Sequence, residues 1–229
     1  MISAPCLLAC WFGGVFFGVV EARACTYADL LTPLQQESHW QYSLLDTEFM
    51  LSEGFAPSDL VALSDYGVDS DLRLRELVVE DLLALLADSE AAGYPLAIQS
   101  AYRSYSYQAR VFNYWVAQEG YDNALLTSAR AGHSEHQLGT VVDFRSAEGP
   151  PAWELADWAQ TPTGAWLAAE AWRYGFVMSY PKGARSRTCY SYEPWHYRYI
   201  GKELAKELEE SGLVLREWLL NTHQTTDEP

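Results

Sequence analysis

The sequence predicts an α+β domain with a small antiparallel sheet flanked by helices. Three observations carry this. Asp71–Ala92 has apolar residues at Leu74, Leu77, Val78, Leu82, Leu85 and Leu86, the spacing of an amphipathic helix. Short runs at Thr140–Phe144, Phe176–Tyr180 and Trp195–Ile200 read as strands. Helices and strands do not alternate in the βαβ rhythm that a parallel sheet needs.

The elements follow in order. Cys25–Ser64 is irregular, with Trp40, Tyr42 and Phe49 among polar residues, and reads as an N-terminal extension wrapped over the domain. Gly93 ends the first helix. Pro95–Tyr102 reads as a strand, Tyr105–Gln118 as a helix closed by Gly120, and Asp122–Ala129 as a short helix. Thr163–Tyr174 is helical with Gly175 just past its end, and Pro181 stops the strand that follows. Lys202–Ser211 is a charged surface helix, and the residues after Asn221 read as a polar, frayed tail. The expected division is therefore a leader over 1–24, the extension over 25–64, the main domain over 65–220 and the tail over 221–229.

At 229 residues, with 49% apolar and 14% aromatic residues, the chain can bury a sizeable core and is not disordered by composition. Thirty-one acidic residues against 15 basic ones give a formal charge of −16. Such a surface repels phosphate backbones, and the densest basic run, Lys182–Arg187, holds three cations, so nucleic acid is excluded as a partner. Leu7–Val20 is apolar, and Ala22-Arg23-Ala24 offers small residues at a signal-peptidase spacing, although no Lys or Arg precedes the run. The expectation is an exported protein, in the periplasm or at the cell surface, meeting a membrane only if this segment is retained. Cys6 and Cys10 would leave with the leader. Cys25 and Cys189 would then either form one disulfide or remain two thiols.

Chemistry concentrates in Gly132–Asp143 and Tyr192–Arg198, which hold three of the five histidines: His133, His136 and His196. Imidazole and carboxylate are ligands that zinc takes, and a catalytic zinc uses three protein ligands. His136 and Asp143 flank a bend at Gly139, while Glu193 precedes His196 by three residues. Each of these residues alone has an ordinary structural explanation, as a satisfied polar group or a turn residue.

Together they resemble zinc D-alanyl-D-alanine carboxypeptidases of the VanY type, grouped with VanX-like dipeptidases and hedgehog-type zinc domains. The family pattern S-x-H-x-x-G-x-A-x-D appears as Ser134-Glu-His136-Gln-Leu-Gly139-Thr-Val141-Val-Asp143, and E-x-W-H as Glu193-Pro-Trp195-His196. A third element, S-G-Y-R-S-x-x-x-Q, appears as Ser100-Ala101-Tyr102-Arg103-Ser104 and then Gln108. Ala101, Val141 and Cys189 depart from the pattern without removing a ligand or an acid/base group.

The resemblance implies one Zn²⁺ per chain on His136, Asp143 and His196, with Glu193 as general base and then acid. It implies Arg103 as oxyanion stabiliser and substrate contact, with Gln108, Ser134 and Trp195 also holding substrate. His133 has no ligand counterpart in the pattern and is expected at the rim of the site. The implied activity is an exported, monomeric D,D-carboxypeptidase that removes the terminal D-Ala from peptidoglycan stem peptides by attack of a zinc-bound water. The alternatives are an L,D-carboxypeptidase or endopeptidase on the same stems, or an inactive zinc-containing binding module. Glu193 favours an enzyme, because a binding module has no need of it.

Overall fold

The computed structural model describes residues 25–33 and 36–226, with side chains described through 222. The apolar leader expected over 1–24 lies outside the described residues. The strands and helices are, in chain order, β1 (Leu30–Leu31), β2 (Phe49–Met50), β3 (Leu60–Ala62), β4 (Arg73–Arg75), α1 (Glu76–Ala91), β5 (Leu96–Ser100), α2 (Tyr105–Glu119) and α3 (Tyr121–Thr127). They continue with β6 (Val141–Ser146), α4 (Pro162–Glu170), β7 (Phe176–Met178), α5 (Arg185–Thr188), β8 (His196–Tyr199), α6 (Lys202–Ser211) and α7 (Leu215–Thr226).

The central sheet has the order β5-β6-β8-β7, with every neighbouring pair antiparallel. Alternation along its strands separates two faces. Val142 and Phe144 of β6 and Tyr197 and Tyr199 of β8 enter the main core, where they meet Val78, Val79, Leu82 and Leu85 of α1. Asp143 and His196, one position out of phase, fall on the opposite face. A second apolar cluster joins Val177 and Ile200 to α6 and α7 through Ala205, Leu208, Leu215, Trp218 and Leu219, with Leu44 from the N-terminal segment. Among the described residues, no helix is long and apolar enough to cross a membrane.

Three boundaries differ from the sequence reading by more than two residues. The helix expected from Asp71 begins at Glu76, because Arg73–Arg75 pairs with Leu60–Ala62 in an antiparallel hairpin. Tyr174 ends a separate 3₁₀ turn, Ala171–Tyr174, closed by Gly175 in the left-handed region. The residues after Asn221 are not frayed from that point: α7 continues to Thr226, anchored by buried Trp218 and Leu219.

The N-terminal segment is held at several places. Cys25 and Cys189 form a disulfide, with Cα atoms 5.5 Å apart. Trp40 stacks on Tyr199 at 5.5 Å. Asp46 accepts hydrogen bonds from the backbone N–H groups of Glu48 and Phe49 and pairs with Arg216 at 2.7 Å.

Candidate active site and metal centre

The site is built where β6 and β8 meet. Their register sets Asp143 directly opposite His196, so both side chains project from the same face at neighbouring positions. His136 arrives from the 3₁₀ turn Glu135–Leu138, which ends at Gly139 with φ +72°. A Cβ at Gly139 would meet Arg75 Cγ at 2.9 Å and Leu60 Cδ2 at 3.0 Å, so both conformation and space call for glycine there. Arg103 N–H donates to the His136 carbonyl at 3.2 Å, which fixes this turn to the segment leading into α2. That helix is capped by Ser104, whose hydroxyl accepts from the Tyr107 N–H at 3.2 Å.

One nitrogen of each imidazole is committed. His136 Nδ1 bonds the Ala101 carbonyl at 2.6 Å, and His196 Nε2 bonds Glu135 Oε2 at 3.0 Å. The other nitrogens converge on Asp143: His136 Nε2 is 3.3 Å from Oδ2 and His196 Nδ1 is 3.2 Å from Oδ1. All three residues are buried, and their ligand atoms lie within 4.8 Å of one another. His136 Nε2 and Asp143 Oδ1 are buried without a hydrogen-bond partner among the described residues, a costly arrangement for polar atoms unless an ion satisfies them. Two imidazoles and one carboxylate suit Zn²⁺ and leave a fourth position open.

The electrostatics match. Burial, reinforced by the Arg103 charge, pushes His136 down to about 4, so its ring is neutral and able to ligate at neutral pH. Burial would lower His196 as well, but the adjoining Asp143 and Glu135 carboxylates outweigh it and hold the ring at about 10. An incoming cation therefore displaces a proton there. Burial pushes the Glu193 carboxyl up to about 7, with the Asp143 and Glu135 charges adding to the rise and His196 and Arg103 opposing it. Glu193 Oε2 stands 3.6 Å from His196 Nδ1, its backbone held by its own N–H donating to the Tyr180 carbonyl and by a turn in which His196 N–H donates to the Glu193 carbonyl.

These groups line one cleft of about 410 Å³ together with Arg103, Gln108, Ser134 and Trp195. Arg103 Nη2 is 3.5 Å from Asp143 Oδ2, while its Nε is buried without a partner. Gln108 is spanned between uses: Nε2 donates to the Ala129 carbonyl at 2.7 Å, and Oε1 is buried and unpartnered. Trp195 meets Trp153 edge-on at 6.5 Å on the wall. The cleft thus gathers every residue singled out in the sequence for metal, proton or substrate.

His133 is a correction. It is 1% exposed and belongs to no rim; Nδ1 bonds the Asp46 carbonyl at 2.7 Å and Nε2 bonds Asp29 Oδ1 at 3.0 Å. The missed residue is Glu135, buried behind His196. Its position inside the ligand-bearing motif was a signal, but the tight turn that sends Glu135 and His136 to different neighbours was not readable from spacing. Tyr180, packed on the His196 ring at 4.8 Å, and Tyr190 on the cleft wall were also not anticipated.

Known proteins resemble this chain in sequence and in fold. Residues 71–202 match the family described as VanY, D-alanyl-D-alanine carboxypeptidase. YodJ of Bacillus subtilis is 35% identical over 181 residues, covering 77% of this chain and 66% of its own length, so the chain spans just under two-thirds of that relative. The solved LdcB LD-carboxypeptidase, described in terms of peptidoglycan recognition, is 29% identical with a TM-score of 0.69, covering 82% of this chain and 93% of that one. The vancomycin-resistance D,D-pentapeptidase VanY, solved with Zn(II), is 26% identical with a TM-score of 0.67, covering 79% and 99%. With its three motifs brought into one cleft around a His-Asp-His set, the chain belongs to the VanY family of D-alanyl-D-alanine carboxypeptidases.

Proposed function

We propose that this chain is an exported zinc D,D-carboxypeptidase that removes the terminal D-Ala from peptidoglycan stem peptides. The observation that carries the reading is the convergence of Glu193 on the His136-Asp143-His196 set, with Oε2 3.6 Å from His196 Nδ1. His136 Nε2, His196 Nδ1 and an oxygen of Asp143 would hold one zinc ion. When bound, zinc supplies a Lewis acid that makes water a nucleophile near neutral pH and polarises the scissile carbonyl.

Glu193 takes the proton of the attacking water and returns it to the departing amine. A carboxyl held near 7 can do both, because neither protonation state is strongly favoured at neutral pH. Arg103 presents a planar guanidinium to the charge that develops on the carbonyl oxygen or to the terminal carboxylate. Gln108 Oε1 and the Ser134 hydroxyl offer polar contacts along the stem, and Trp195 an apolar wall. The likeness to LdcB supports a second reading on the same machinery, an L,D-carboxypeptidase that trims tetrapeptide stems.

Defined muropeptides digested with the purified protein and read by mass spectrometry separate these readings. Free alanine released from stems ending D-Ala-D-Ala supports the first, and release only from tetrapeptide stems the second. Amidated stems should be cut far more slowly, because their C-terminal carboxylate is masked. Equal cleavage of amidated and free stems, or products that are crosslink halves, would overturn a carboxypeptidase. Glu193→Gln should keep fold and zinc while turnover falls about 10²–10⁴-fold.

A further inference from the structure

We infer that Glu135 is a positioning residue for the metal centre: its carboxylate fixes the tautomer and orientation of His196 and makes that imidazole a stronger ligand. The inference rests on the zinc reading above and goes beyond it to the layer behind the ligands.

Glu135 is 4% exposed and accepts from three side-chain donors. Oε2 accepts from the Ser179 hydroxyl at 2.6 Å and from His196 Nε2 at 3.0 Å, and Oε1 accepts from Arg198 Nη1 at 3.0 Å. Arg198, wholly buried, uses Nη2 to donate to the Trp40 carbonyl at 2.8 Å and the Gln41 carbonyl at 3.3 Å. A network of two buried charges is costly to desolvate and is not explained by stability alone. What it does is aim a carboxylate at a single ring nitrogen.

The consequence for His196 is specific. Once a cation has displaced the Nδ1 proton, Nε2–H directed at Glu135 leaves the lone pair on Nδ1, the nitrogen that faces Asp143 and Glu193. His136 is oriented differently, by a neutral backbone carbonyl on Nδ1. One imidazole is therefore backed by an uncharged acceptor and the other by a full negative charge, which raises the basicity of His196 toward a cation. Arg198 extends the support to the N-terminal segment, whose Trp40 and Gln41 carbonyls hold the guanidinium in place.

The test is zinc affinity of the intact chain, measured by competition against a chromophoric chelator, for wild type, Glu135→Gln, Ser179→Ala and His196→Ala. Glu135→Gln should remain folded without metal and bind zinc about 10–100-fold more weakly. Ser179→Ala, which strips one hydrogen bond from the same oxygen, should show a smaller loss in the same direction. Should Glu135→Gln fail to fold, Ser179→Ala decides, and unchanged affinity there overturns the inference. A lowered apo melting temperature with wild-type zinc affinity in the Glu135→Gln protein would show a purely structural carboxylate and also overturn it. If His196→Ala binds zinc as tightly as wild type, the metal reading itself falls and this inference with it. Tight wild-type binding matched by Glu135→Gln removes this inference alone.

Discussion

His133 and His136 lie three residues apart, yet one is clamped between Asp46 and Asp29 and the other faces Asp143. Their environments separate them, not their spacing. Burial, with the Arg130 charge assisting, holds His133 below the usual histidine range, against the opposing pull of its hydrogen bonds to the Asp29 carboxylate and the Asp46 carbonyl. A histidine lowered on folding binds its proton more readily in the unfolded chain, so its stabilising effect is complete above its unfolded pKa of about 6.5. The effect is lost as pH falls from there toward the folded value. The stability gap between wild type and His133→Gln, measured by urea unfolding, should therefore narrow between pH 7.5 and pH 5.5. A constant or widening gap would contradict a histidine whose proton affinity falls on folding. At Arg103 the expectation is kinetic. Losing a donor to developing charge costs about 3–4 kcal/mol, or 10²–10³ in rate. Lys should rescue poorly, because it offers a point charge where the guanidinium offers a fork. Steady-state kinetics of Arg103→Ala and Arg103→Lys check this, and near-wild-type turnover in the Lys variant would remove the need for a fork.

At the scale of elements, α1 was legible because five of the six marked apolar positions, all but Leu74, fall within it at helical spacing, and Val78, Leu82 and Leu85 are completely buried. Leu82→Ala should cost about 2–5 kcal/mol of stability, read as a lower denaturant midpoint with an unchanged slope. The 71–75 stretch was misread because leucine and arginine favour a helix, and pairing with the distant Leu60–Ala62 overrides that local preference. The continuation of α7 beyond Asn221 was hidden for a related reason: its polar residues stay helical because Trp218 and Leu219 anchor the preceding turns. The site was more legible than these boundaries, since its three motifs mark residues that chemistry constrains. What spacing could not give was the partner behind His196, because Glu135 reaches it across 61 positions of chain. Parity along β6 adds a constraint. Deleting Val141 would carry Asp143 to the core face and bring Val142 to the site.

For the molecule as a whole, the Cys25–Cys189 disulfide decides between the two thiol states left open by the sequence. Closing so long a loop should contribute about 2–4 kcal/mol, mainly by restricting the unfolded chain. Reduction should then lower the melting temperature by roughly 5–15 °C, and denatured, unreduced protein should show no free thiol at Cys25 or Cys189. Two titratable thiols would refute the bond. Chelation should abolish activity, and zinc should restore it at near-unit stoichiometry. The bond also divides the residues that line the cleft. Arg103, Gln108, Ser134, His136 and Asp143 lie on the closed stretch between the two cysteines, whereas Glu193, Trp195 and His196 lie outside it. A protease that nicks any exposed peptide bond between Cys25 and Cys189 would therefore release no fragment. The cut chain would travel as one species on a non-reducing gel and fall into two pieces only after a reductant is added.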